Sequence, residues 1–203
     1  KTIGAGKTVQ VSGVTKSGAD AGNYTITQPT TTATITAKGL TVTGITATNR
    51  VYDATTDATA LLDKTAAALS GVVAGDTVTM DHASATASFA DKTIGAGKTV
   101  TIVGITIGGA DSGNYTLSQP STTADITAKT LTVSGITAAN KTYNASTVAT
   151  LSTGSAAFVG VESGDTVTIG VGSATGAFAT KTIGAGKTVQ VSGVTKSGAD
   201  AGN

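Results

Sequence analysis

The chain has no cysteine, which excludes disulfides, thiolate metal sites and cysteine nucleophiles together. Tryptophan is absent and aromatics make up 3%, so any core must be built from the Ala, Val, Ile and Leu that dominate the 39% hydrophobic share. Charge is scarce too. Asp, Glu, Lys and Arg are 12% of the chain, against roughly a quarter in ordinary globular proteins. The net charge is +1 with lysines scattered singly, so no basic stripe exists to track a phosphate backbone, and nucleic acid is not an expected partner. No apolar run approaches the roughly 18 residues of a membrane span, and membrane insertion is not expected. The only histidine is His82, whose counterpart in the repeat described below is Val171, so no histidine relay recurs; an exposed strand end is expected there.

What the chain does have is repetition. The string Lys-Thr-Ile-Gly-Ala-Gly-Lys-Thr begins at Lys1, Lys92 and Lys181, spacings of 91 and 89 residues, the mark of a tandem array of small domains. Threonine alternates with Val and Ile at period two, and helix formers are sparse, so the expected class is all-β. The pattern Val-x-Gly-Ile/Val-Thr recurs at Val11, Val42, Val133 and Val191, and its glycine shifts the apolar phase. A β-bulge or a strand changing sheets at that glycine is predicted. Gln28-Pro29 and Gln119-Pro120 hold the only two prolines and end one strand before the next.

Asp20 to Thr25 and Asp111 to Thr116 read Asp-x-Gly-Asn-Tyr-Thr, which resembles the tyrosine corner of immunoglobulin-type sandwiches. On that resemblance Asp111, Gly113, Tyr115 and Tyr24 are framework residues: the Tyr hydroxyl bonds back to its own turn and Asp111 caps it. Leu117 and Ile26 stand where that family has Cys. The expected core of the complete module contains Tyr52, Phe89, Val100, Ile102, Tyr115 and Leu117.

Boundaries are expected near Gly39 and Thr130, with no Pro/Ser/Gly-rich linker at either. This gives the C-terminal part of a module at 1–39, a complete module at 40–129 and the N-terminal part of the next at 130–203. Short structured joints imply tandem sandwiches forming a stiff rod. Residues 1–23 are identical to 181–203, whereas the middle copy differs at Thr101 and Ile107, so the true repeat is a two-module unit of 180 residues. The cuts fall inside modules. The chain is therefore expected to be a window on a longer array, with the last module completed by a segment equivalent to 24–38, from the continuing chain or from a neighbour by donor-strand addition.

Asn49 to Thr55 (Asn-Arg-Val-Tyr-Asp-Ala-Thr) and Asn140 to Ser146 (Asn-Lys-Thr-Tyr-Asn-Ala-Ser) align, followed by Val72-x-x-Gly75-Asp76-Thr77-Val78-Thr79 and Phe89-Ala90-Asp91-Lys92. These strings, in that order with Gly-Ala-Asp-x-Gly-Asn-Tyr, resemble the YDG-type repeat of large bacterial surface adhesins, including those similar to filamentous haemagglutinin. The resemblance implies export, an extracellular cell-surface location and a non-catalytic stalk. Ala54 and Ala145 replace the family glycine, and Asn144 replaces the Asp at Asp53. Loss of that Asp beside Tyr143 favours a structural role for the turn.

Gly95-Ala96-Gly97-Lys98-Thr99 invites a phosphate-loop reading, but Lys92 stands where that motif needs its first glycine and a strand follows in place of a helix. A Gly-rich turn is expected, with no nucleotide, no cofactor and no enzyme. Asp53, Asp76, Asp91, Asp111 and Asp125 form no Asp-x-Asp-x-Asp string; Ca²⁺ at module junctions is the one metal left open, since ligands can converge from distant loops. Asn23, Asn114, Asn140 and Asn144 begin N-x-Ser/Thr sequons and are candidate glycosylation sites. Adjacent repeats or neighbouring copies in a fibre are the expected partners. The competing reading is a module that binds host or surface glycans.

Overall fold

Alternating Thr and aliphatic residues put β-branched side chains on both faces of extended segments, and the chain folds almost wholly into short strands joined by turns. The computed structural model describes residues 1–203. Its only helical pieces are single 3₁₀ turns at Ala21–Asn23, Thr59–Leu61 and Ser112–Asn114, and no helix is long and apolar enough to cross a membrane.

Two compact units form, and neither is a continuous stretch of chain. The first comprises Lys1–Ala47, Ala58–Ser88 and Val100–Thr122; the second comprises Thr48–Asp57, Phe89–Thr99 and Thr123–Asn203. The units therefore cut across the module expected at 40–129. Arg50–Val51 pairs in parallel with Ile126–Thr127, and this pairing places the Tyr52 segment with residues that follow it by some seventy positions.

In the first unit Lys38–Thr43 is the centre of a three-stranded sheet. It pairs antiparallel with Ala68–Ser70 and parallel with Tyr115–Ser118, Leu117 opposite Leu40. Thr106–Gly108 pairs with Thr79–Asp81, and Gly4–Gln10 with Thr30–Ile35. Leu40, Val100 and Ile102 are fully buried, each worth roughly 1.5–3 kcal/mol. Tyr115 joins them, while Leu117, expected in the core, is half-buried. In the second unit Tyr52, Phe89 and Ile126 are buried, and the strand Val148–Ala149 pairs with Thr175–Phe178, itself paired with Val189–Ser192.

The phase-shifting glycines do what the pattern implies. Gly44, Gly104, Gly135 and Gly193 have φ of 79, 84, 76 and 76°. The strand Lys38–Thr43 lies in one sheet and Thr46–Ala47, just past Gly44, in another. A Cβ at Gly44 would lie 2.0 Å from the Ala66 carbonyl oxygen, and one at Gly135 1.8 Å from that of Ser155. Close approach and positive φ both demand glycine.

The change of repeat length from 91 to 89 residues also has a location. Ala58 and Ala149 occupy equivalent pairing positions, as do Leu62 and Leu151. The two residues lost between them remove the Thr59–Leu61 turn.

Candidate functional site: the Lys-Asp-Tyr networks

Each Val-x-x-Gly-Asp string makes a tight turn with its glycine at positive φ, Gly75 at 87° and Gly164 at 89°. The Asp N–H closes each turn, Asp76 onto the Val73 carbonyl and Asp165 onto that of Glu162. The carboxylate that follows is thereby fixed in direction. Nearly all of the Asp76 and Asp165 side chains is shielded, 7% and 3% remaining exposed.

In the second unit Asp165 accepts from Lys92 Nζ at 2.7 Å and from the Tyr52 hydroxyl at 2.8 Å. Lys92 also stands 3.9 Å from Asp200 and 5.9 Å from the centre of the Tyr52 ring. Asp200 exchanges two bonds with Thr166: its carboxylate accepts from Thr166 N at 2.9 Å, and its own N–H donates to the Thr166 carbonyl at 3.2 Å.

The first unit carries the same arrangement with one exchange. Lys1 donates to Asp76 and lies 4.0 Å from Asp111. Asp111 pairs with Thr77 as Asp200 does with Thr166. The phenol on Asp76, however, is Tyr115, which donates at 2.7 Å and accepts from Val73 N at 3.1 Å. The tyrosine-corner expectation is corrected here. The Tyr115 hydroxyl bonds across to the Val73–Asp76 turn and not back to its own, because Tyr115 points off a strand toward that buried carboxylate. Asp111 likewise makes no side-chain cap on its own 3₁₀ turn but serves Thr77. Nothing around Gly113 requires glycine.

Proximity sets the protonation states. Its bond to Asp165 raises the Lys92 pKa, while Lys92 first and Tyr52 second lower that of Asp165. Burial, then the anionic Asp165, raises the Tyr52 phenol. Lys1 and Asp76 shift in the same two directions. The set is thus held as ammonium, carboxylate and neutral phenol, each already hydrogen-bonded.

The Tyr-Asp-Ala turn is a second knot. Asp53 accepts from Thr55 N and Thr55 Oγ1, both at 3.0 Å, wrapping Ala54 into φ 61°. Arg50 donates to Asp53 at 3.1 Å and lies over the Phe89 ring at 4.8 Å. Asn144 keeps only one bond of this kind, from Ser146 N, around Ala145 at φ 59°; Lys141 lies over Phe178.

That turn is the Tyr-Asp-Gly element of a known repeat, and a family model for the YDG domain matches residues 36–124 and 127–203. The chain belongs to the YDG domain family. No curated protein and no solved structure matches it. Seen as YDG repeats, the second network is an interlock: Tyr52 and Lys92 belong to the first repeat, and the carboxylate they share, Asp165, belongs to the second.

Other expected residues fall apart. Tyr24 and Tyr143 are 68% and 58% exposed, so two of the four tyrosines are not packed as framework. Of the sequon residues, Asn23, Asn140 and Asn144 are exposed, while Asn114 is half-buried and accepts from Ile3 N. His82 is half-buried, not exposed, beneath Lys64, which donates to its carbonyl. Gly95–Val103 is a strand, and Gly97 N donates to Asp125 at 2.7 Å, with Asn49 bonded to the same carboxylate.

Sequence reasoning missed several residues that hold the repeats. The repeated Lys at positions 1 and 92 read as part of a turn, yet it is the counter-charge of the network. Gln119 grips both backbone groups of Ile105, at 3.1 and 2.8 Å, and Gln28 does the same to Val14. The repeated Gln-Pro pair was the available signal.

Proposed function

We propose that this chain is part of the repeat region of an extracellular stalk or surface fibre, built of immunoglobulin-like YDG sandwiches in a stiff tandem rod, and that it works without catalysis. The observation that carries this reading is the Lys92-Asp165-Tyr52 interlock, in which consecutive YDG repeats share one buried carboxylate. A repeat tied to its successor by a charge-assisted bond resists bending at the joint better than a free linker does. The chemistry agrees. An ammonium held charged is no nucleophile and a phenol held neutral is no base, so the most enclosed polar groups suit holding and not turnover.

The same lysine supports a metal-free joint, since its ammonium already stands between Asp165 and Asp200 where a Ca²⁺ ion would have to sit. A scattering series on one to four tandem units tests the rod: the maximum dimension should grow linearly with repeat number. A plateau would refute it.

A second reading, a glycan- or matrix-binding module, is favoured by one feature. Exposed Tyr143 borders an open groove with Asn140, Asn144, Lys141 and Thr182, and aromatic faces beside amides suit sugars. Specific micromolar binding on a glycan array, abolished by Tyr143→Ala, would establish it over the stalk.

A further inference from the structure

The stalk reading needs only covalently joined repeats, and the inference here goes beyond it to a binding site for a free strand. In the first unit Tyr115–Ser118 lies parallel to Lys38–Thr41, in the register Tyr115 to Lys38, Thr116 to Gly39, Leu117 to Leu40. This added strand brings the Tyr115 ring over the Val73–Asp76 turn and covers Leu40 completely.

The second unit builds the same receiving surface. Lys129, Leu131, Gly160, Glu162, Asp165 and Asp200 are the counterparts of Lys38, Leu40, Gly71, Val73, Asp76 and Asp111. They line one groove enclosing about 310 Å³ of space open to solvent. The strand beside it, Thr132–Ser134, pairs only with Ala157–Val159. Leu131 is half-buried where Leu40 is fully buried, and Val133 is 43% exposed where Val42 is 8% exposed. One rung of the parallel ladder is already in place, Lys129 N donating to the Asn203 carbonyl at 3.1 Å.

The matching strand is also in the chain. Tyr24-Thr25-Ile26-Thr27-Gln28 is the counterpart of Tyr115-Thr116-Leu117-Ser118-Gln119, but it belongs to no sheet, and Tyr24 and Ile26 are 68% and 37% exposed. An edge with unpaired backbone groups and an extended segment of complementary side-chain spacing are the two halves of strand addition.

We propose that the groove along Lys129–Thr132 is an acceptor for a parallel strand, and that Tyr24–Gln28 of a second copy of this chain fills it. The Tyr24 ring enters between Leu131 and the Glu162–Asp165 turn, and its hydroxyl joins those of Tyr52 and Lys92 on Asp165. Backbone pairing runs Tyr24 to Lys129, Thr25 to Thr130 and Ile26 to Leu131. Donor and acceptor surfaces differ, so the contact is heterologous and propagates head to tail.

The absence of native cysteine makes the register directly testable in the 203-residue chain. Thr25 and Thr130 are both exposed and face each other in the proposed pairing, so the T25C/T130C variant under mild oxidation should give a reducible ladder of dimers, trimers and higher species. The shifted pair T25C/T132C should cross-link roughly tenfold less, since diagonal neighbours lie about 7–8 Å apart. In parallel, sedimentation of the cysteine-free chain should show concentration-dependent association weakened roughly tenfold or more by Tyr24→Ser, a change at an exposed residue that leaves each unit folded. Equal cross-linking of both pairs, an oxidised band that stays monomeric, or association indifferent to Tyr24→Ser would each overturn the proposal.

Discussion

Lys92 Nζ and Asp165 Oδ1 stand 2.7 Å apart although 73 residues separate them, and the two belong to successive YDG repeats. Because the Tyr52 hydroxyl shares that carboxylate, removing either donor leaves a shielded anion short of a partner. Lys92→Met should therefore lower the melting temperature more than Lys181→Met, which changes the same motif position where the structure gives it no ion pair. Calorimetry on both variants checks this, and equal effects would remove the interlock from the account.

Tyr115→Phe tests the hydroxyl that bridges Asp76 and Val73 N. The ring would still fill its place, so the loss reports the two bonds. A fall in melting temperature of about 2–4 °C is expected, and an unchanged value would show the bridge to be dispensable.

Ala54 and Ala145 hold φ of 61 and 59°, a region costly for any residue with a Cβ. Ala54→Gly should stabilise the chain by about 0.5–1 kcal/mol after the greater flexibility of unfolded glycine is offset. Denaturant titration measures it. The reverse kind of change, Gly44→Ala, should cost more than about 2 kcal/mol because its Cβ would press on the Ala66 carbonyl, and Gly104→Ala, with 3.0 Å to the Ser84 oxygen, should cost less.

Acid should find the carboxylates. Lys98, at 2.5 Å, and Thr93 hold the Asp91 pKa down to about 2, and Asp63, Asp76 and Asp165 are lowered as well. A carboxylate whose native pKa lies below its unfolded value of roughly 3.9 stabilises the fold above that value, and the contribution disappears as pH falls toward the native one. Melting temperature should thus stay level above about pH 5 and drop between about pH 4 and 2. Asp91→Asn should shrink that drop.

Chelation should do nothing. With Lys92 as the cation facing Asp165 and Asp200, EDTA and added Ca²⁺ are both expected to leave the melting temperature unchanged. A rise of several degrees with Ca²⁺ would place a metal at the joint.

Local features were legible in the sequence because their causes are local. The period-two alternation dictates strands, the recurring glycines of Val-x-Gly-Ile mark where strands change sheets, and Tyr52, Phe89, Val100 and Ile102 announce themselves as core by composition alone. The repeat itself revealed the family. Only the tertiary structure decided partners. Tyr115 and Tyr52 look equally like framework, yet which carboxylate each meets depends on strand pairings that join residues 39 and 113 positions apart. Tyr24 and Tyr143 occupy the same motif positions and lie exposed, because burial belongs to the surface a side chain meets and not to the motif that carries it. Lys92 could be read as a turn residue for the same reason: a charge is assigned by its nearest opposite charge in space, and spacing along the chain does not record that distance.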